Sequence, residues 1–188
     1  MKRDDEQLVA EYLSGNKTIF DEIVNRYLKS IYNFSYRLVG NDKEAEDITQ
    51  EIFLKIWKNI KKFDTNKSFK TWIFTIAKNT TIDYLRKKKE IPLSAFDTDE
   101  GNNLVTDNLV DEELKPDEVF ALSQNKIKVE RVMDELTIIQ KQVIILKYMD
   151  EFSLSEISMI LKVPVDTVKS HHRRAIKKME KILSAPKR

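Results

Sequence analysis

The chain has no cysteine and only three glycines in 188 residues. The first absence excludes disulfides, thiol catalysis, cysteine-ligated zinc and any thiol-based redox sensing by the chain itself. The second, beside 34% charged and 41% hydrophobic residues, points to a helical, soluble protein with enough apolar material for packed cores. No apolar run reaches the roughly 18 residues that a membrane-spanning helix needs. Met1-Lys2-Arg3-Asp4-Asp5-Glu6 also lacks the apolar core of a secretory signal, so no stable membrane insertion is expected.

A formal net charge of +2 conceals strong segregation. From Lys61 to Lys89 nine cations stand against Asp64 and Asp83, whereas from Ser94 to Val119 nine carboxylates stand against Lys115 alone. From Lys162 to Lys181 seven cations oppose only Asp166 and Glu180. Two basic segments separated by an acidic one suggest two nucleic-acid contacts joined by a tether. The expected architecture is all-α: two small helical domains, residues 1–89 and 120–188, joined by a flexible acidic linker over 90–119.

The last third carries the sharpest local signal. Ser153 stands three residues before Glu156, the capping-box spacing in which each side chain satisfies an orphan backbone donor of the other. Pro164 interrupts the helical pattern and forces a turn. Ile157, Ile160 and Leu161 share a face before that turn, and Val165 and Val168 follow it. Two short helices with this spacing can pack on a third and present the second outward, the helix-turn-helix plan, here spanning Leu154 to Arg173. An ordinary helical hairpin explains the apolar spacing equally well. The one-signed charge of the second helix favours double-stranded DNA, because a structural surface helix usually mixes both signs.

Residues Asp5 to Lys89 read as a run of helices. Leu8, Val9, Tyr12 and Leu13 form a stripe ending near Gly15, and Phe20 to Phe34 continue the period until Gly40-Asn41 breaks it. Asp42 is expected to cap the next helix, whose Ala45, Ile48, Ile52, Ile56 and Ile60 make a core-facing stripe. Phe63 to Ser68 reads as a polar loop before a fourth helix that runs into Arg86-Lys87-Lys88-Lys89. In the second domain, helices are expected near 120–135, 138–149, 154–161 and 165–183.

Two constellations stand out. Asp47, Gln50, Glu51, Leu54 and Lys58 project together, opposite the isoleucine stripe. They form either a solvated polar face or a partner surface marked by Leu54. Phe63, Phe69, Trp72, Phe74 and Tyr84 are interleaved with cations from Lys61 to Lys88. Cations follow a phosphate backbone, and exposed aromatics stack on unpaired bases for roughly 1–3 kcal/mol each. The same pattern also suits a basic helix with ordinary core aromatics. On this reading Phe74 and Tyr84 are buried, and Trp72 and Phe63 lie at a rim.

These residues carry a resemblance. Asn41-Asp42-Lys43-Glu44-Ala45-Glu46-Asp47-Ile48-Thr49-Gln50-Glu51-Ile52-Phe53-Leu54-Lys55-Ile56-Trp57 resembles conserved region 2.2 of bacterial sigma factors. The run from Phe69 to Asn79, followed by Ile82 to Lys89, looks like regions 2.3 and 2.4, and Leu136 to Ile144 through Thr167-Val168-Lys169-Ser170 looks like region 4. No further domain sits where region 3 would lie, which resembles the extracytoplasmic-function (ECF) group of the sigma-70 family.

The resemblance implies a transcription initiation factor without catalytic activity. Asp47, Gln50, Glu51, Leu54 and Lys58 would dock on core RNA polymerase. Phe63, Asn66, Lys67, Ser68, Trp72, Asn79, Arg86, Lys87 and Lys88 would read and open the −10 element, with one base flipped into a pocket of the 63–68 loop. Thr167, Lys169, Ser170, His171, Arg173 and Arg174 would read the −35 element as duplex. It further implies a cytoplasmic location and an inhibitory anti-sigma partner that could hold the factor at the membrane.

One departure from the family pattern is His171-His172-Arg173-Arg174, where His172 occupies a position normally aliphatic; a half-buried neutral imidazole is expected there. Asp47 and Glu51 share their face with no histidine and no second acidic pair, so neither metal, cofactor nor nuclease chemistry is expected. An autonomous two-component-type regulator would share the helix-turn-helix but not the two N-terminal constellations.

Overall fold

A computed structural model describes residues 3–89 and 132–184. The acidic segment expected as a linker, and most of the helix expected at 120–135, lie outside the described residues. The elements are α1 (Asp5–Leu13), α2 (Ile19–Val39), α3 (Asp42–Asn59), a 3-10 turn (Ile60–Lys62), α4 (Phe69–Lys89), α5 (Ile138–Tyr148), α6 (Leu154–Leu161) and α7 (Val165–Ser184). Among the described residues there is no strand, and the all-α expectation holds.

Local signals set most boundaries. Asp4 and Gln7 close a capping box on α1, and α2 ends where Gly40 takes the left-handed region at φ 74°. The cap of α3 is Asn41 rather than the expected Asp42: its side-chain oxygen accepts from the Glu44 amide at 3.0 Å. Asp42 falls inside the first turn, where its charge meets the positive end of the helix dipole, and it accepts from the Tyr32 hydroxyl at 2.7 Å. Ser68 starts α4, accepting from the Thr71 amide at 3.2 Å.

The expected stripe of Ala45, Ile48, Ile52, Ile56 and Ile60 is buried throughout, at 1% exposure or less. Burying each isoleucine contributes about 1.5–3 kcal/mol, which fixes the rotation of α3 and hence which residues face out. Leu13 and Leu28 depart from their stripes and are exposed, because α1 buries the narrower face of Leu8, Val9 and Tyr12 and α2 that of Ile19, Ile23, Tyr27, Ile31, Phe34 and Leu38.

In the second domain a capping box of Thr137 and Gln140 opens α5, and the expected Ser153–Glu156 box opens α6. Lys162 ends α6 in the left-handed region at φ 60°. The Ser158 hydroxyl then donates to the Val163 carbonyl at 2.8 Å, holding the turn into α7. Ile157, Ile160, Leu161 and Val168 are buried as the helix-turn-helix plan requires.

The two helical domains are not held apart. α6 packs on α4 and α5 on α2, so buried residues of both domains join one apolar cluster. The seam centres on the corner between α5 and α6. Asp150 and Phe152 amides bond back to the Ile145 and Leu146 carbonyls at 3.4 and 3.0 Å, with Glu151 at φ 59° making the bend. That bend drives Phe152, 1% exposed, edge-on against Phe74 of α4 at 4.9 Å between ring centroids. Lys70 of α4 lies 4.4 Å from the Phe152 ring centroid and donates to the Asp150 carbonyl. An edge-to-face pair contributes about 0.5–1.5 kcal/mol beyond its burial.

Candidate nucleic-acid and partner interfaces

α3 presents Asp47, Gln50, Glu51, Leu54 and Lys58 to solvent, because its isoleucines fix the opposite face in the core. Glu51 pairs with Lys55 at 2.8 Å, and Lys55 also donates to Thr80 of α4 at 3.1 Å, which ties this surface to the next helix. Leu54 is 56% exposed and Trp57, three residues on, is 53% exposed. Trp57 was not singled out from the sequence as a site residue. The signal lay in spacing, since a tryptophan three residues after an outward leucine continues the outward face. Two large apolar side chains at the centre of a charged face suit a protein partner better than water.

The aromatic-basic region sorts differently from its sequence pattern. Phe74 is fully buried as expected, but Phe63, expected at a rim, is only 9% exposed. It packs at 5.2 Å against both Phe69 and Trp72, because the loop after the 3-10 turn folds back over the start of α4. Tyr84, expected in the core, is half-buried, with burial and Glu44 raising its phenol above the ordinary range. Trp72 keeps its rim position: it stacks on Phe69 at 5.6 Å and remains partly open to solvent. Asn66, Lys67, Ser68, Asn79, Lys87 and Lys88 are exposed and Arg86 is half-buried. Several of these cations are already engaged: Lys88 with Glu44, Arg86 with Asp83 at 3.6 Å, and Lys67 with Asp64 at 3.4 Å.

On α7, Lys169, Arg173 and Arg174 face solvent, and Thr167 and Ser170 are half-exposed beside them. Asp166 is 3.4 Å from Lys169, an exposed pair worth little by itself. His171, grouped with the −35 contacts in the sequence, does not belong to that face. It is 4% exposed, on the side of α7 that carries Val168 and Ala175 into the core. His172 is half-buried, as expected. Its Nε2 lies 2.8 Å from the Tyr148 hydroxyl, with the two rings stacked at 5.7 Å. Burial, reinforced by Lys147, lowers its pKa below the ordinary imidazole value, so the neutral form is favoured.

No group of three or more metal-ligating side chains occurs among the described residues. Nor is any helix of the described residues long and apolar enough to cross a membrane.

Two family descriptions match separate parts of the chain. The family described as Sigma-70 region 2 matches residues 23–91, and that described as Sigma-70, region 4 matches residues 126–179. The ECF RNA polymerase sigma factor SigW of Bacillus subtilis (strain 168) is 38% identical over 179 residues, covering 93% of this chain and 94% of the relative. SigX of the same organism is 29% identical, covering 86% and 82%. Among solved structures, CnrH in complex with the cytosolic domain of CnrY is similar at a TM-score of 0.71 and 21% identity, over 97% of this chain and 99% of that one. RpoE from Bartonella quintana, in complex with the anti-sigma factor NepR, gives 0.66 at 21% identity, over 89% and 98%. These two likenesses establish a shared helical fold.

Proposed function

The chain belongs to the sigma-70 family, in its extracytoplasmic-function group, and from that premise we propose how its surfaces divide the work of a sigma factor. As a family member it is a transcription initiation factor that binds core RNA polymerase and directs it to promoters. Its role is to position and open DNA rather than to catalyse a reaction. On our reading, residues 1–89 form the region that docks on polymerase and opens the −10 element, 90–119 the linker, and 120–188 the region that reads the −35 element.

Asp47, Gln50, Glu51, Leu54 and Lys58, joined now by Trp57, form the polymerase-docking face. The observation that carries this reading is the exposure of Leu54 and Trp57 on a helix whose other large aliphatics are all in the core. Asn66, Lys67, Ser68, Trp72, Asn79, Arg86, Lys87 and Lys88 receive the opened −10 strand, with Phe63 supporting Trp72 from beneath rather than touching DNA. Thr167, Lys169, Ser170, Arg173 and Arg174 contact the −35 duplex, with His171 acting as a core residue. A cytoplasmic location and an anti-sigma partner accord with this role; RpoE, one structural neighbour, is itself bound to such a factor.

The docking assignment is tested with the double substitution Gln50→Ala and Glu51→Ala. Both side chains are exposed, so the melting temperature should stay nearly unchanged. Affinity for core polymerase should fall clearly. Wild-type affinity in the double variant would remove the assignment.

A further inference from the structure

The corner between α5 and α6 sets a carboxyl group at the seam where the two domains meet. Asp150 is only 7% exposed. It follows the C-terminal end of α5, where the helix dipole disfavours an anion. Its backbone carbonyl is occupied by Lys70 from the other domain, and its neighbour Phe152 is clamped against Phe74. Separation of the domains would hydrate this carboxyl, and closure dehydrates it. We propose that Asp150 makes the packing of the second helical domain on the first a proton-linked equilibrium, in which acid favours the closed chain and alkali the separated one.

The groups facing Asp150 leave it as the titrating one. From α4 comes Lys70, and from α2 Arg37; both cations favour the carboxylate. Arg26 of α2 borders the same seam but is already paired with Asp5 at 2.7 Å and Glu22 at 3.6 Å. Burial and Asp5 hold the Tyr27 phenol protonated far above the neutral range. Glu151, on the same corner, is exposed. On α6, Glu156 is held below the ordinary carboxylate range by its bonds with Ser153, so it stays charged. Burial outweighs Lys70 and Arg37 at Asp150 and raises its pKa from 3.8 to about 7. An open cleft of about 260 Å³, bordered by Asp150, Ser30, Lys70, Met149 and Glu151, runs along the seam and gives water a route to it as the domains part.

The sign follows from linkage. The closed form holds the proton more tightly, so its advantage is full below the pKa of the hydrated carboxyl, 3.8, and is lost as pH rises through about 7. Between about pH 6 and about pH 8 the ratio of closed to separated chains should fall about tenfold. The pairing does not depend on which residues touch DNA or polymerase.

The absence of cysteine makes the test direct. Glu46→Cys and Lys177→Cys, both exposed and one in each domain, accept a fluorescent dye pair in the full-length chain. Energy transfer should report the tenfold fall for the parent, and a closed, pH-independent state for Asp150→Asn, whose amide stands in for the protonated acid. Carboxyl-carbon NMR gives a second reading that does not need the Asn variant to fold. The Asp150 carbon should titrate near neutrality in the parent and in the ordinary carboxylate range once Phe152→Ala removes the seat. A closed fraction that ignores pH, a chain separated at every pH, an Asp150→Asn variant that keeps the parent curve, or an Asp150 carbon titrating near pH 4 in the parent would each overturn the proposal.

Discussion

The two basic segments carry similar charge in the sequence and very different charge in space. On α7 the cations Lys169, Arg173, Arg174, Lys177 and Lys178 lie on the outer side of a helix whose other side is core, where Lys169 meets Asp166 and Lys178 meets Glu135 in exposed pairs. On α4 the cations belong to a helix packed by neighbours on several sides, α2, α3 and α6 among them. There Lys70 is spent on the domain seam, Lys88 on Glu44, and Arg86 on Asp83. A count of lysines therefore measures potential only. The neighbours already holding them decide what is left for a phosphate.

The contrast predicts different failures. The largest effect is expected from Trp72→Ala, since stacking on an unpaired base contributes roughly 1–3 kcal/mol and nothing on α7 can replace it. Permanganate footprinting with reconstituted holoenzyme should show strand opening reduced about fivefold or more, while −35 duplex binding is unchanged. Some loss of stability will accompany it, because Trp72 also packs on Phe63 and Phe69. Normal opening in this variant would erase the distinction between the two segments.

A smaller, purely electrostatic effect separates cations in loose, exposed pairs, such as Lys169 with Asp166 at 3.4 Å, from one held by a more buried carboxylate, Lys88 with Glu44. Removing one phosphate-binding cation should reduce the salt slope of DNA binding by about 0.9. Lys169→Ala and Arg173→Ala together should therefore lower the slope of −35 binding by about 1.8. Lys87→Ala should lower the slope of −10 binding, and Lys88→Ala should lower it less, because Glu44 already holds that ammonium. Equal slopes for the two α4 variants would mean that the Glu44 pair gives way to DNA.

The smallest effect concerns pH. His172 has a depressed pKa in the folded chain, so stability falls as pH drops below the ordinary imidazole value of about 6.5. His172→Leu should flatten that acid loss in a melting-temperature series. Its sign is opposite to that of Asp150, so the two linkages can be told apart in one titration. An unchanged acid slope in His172→Leu would place the proton elsewhere.

Periodicity and caps made much of the fold legible. The isoleucine stripe of α3, the Ser153–Glu156 box, the break at Gly40 and the turn at Pro164 are local facts: backbone hydrogen bonding and apolar spacing act within one or two turns of helix. The outward face of Asp47 to Lys58 followed from the same arithmetic. Aromatic residues were harder to place, because a ring can cover a core or face a groove with the same spacing. Phe63 lies in a loop whose polar composition suggested a rim, yet its ring tucks under Trp72. The resemblance groups His171 with the outward −35 contacts, but the burial of Val168 and Ala175 sets the rotation of α7 and carries it inward.

The sequence by itself determined the all-helical class, the extent of α3, α6 and α7, and the two charged surfaces, since each depends on residues a few positions apart. Only the tertiary structure decided that the two domains share a core. Phe152 and Asp150 sit in a short turn with no periodicity of their own, and their partners Phe74 and Lys70 lie some 80 residues earlier. A pairing across that separation leaves no mark in local spacing. It exists because a bend at Glu151 aims one ring and one carbonyl at α4 of the other domain.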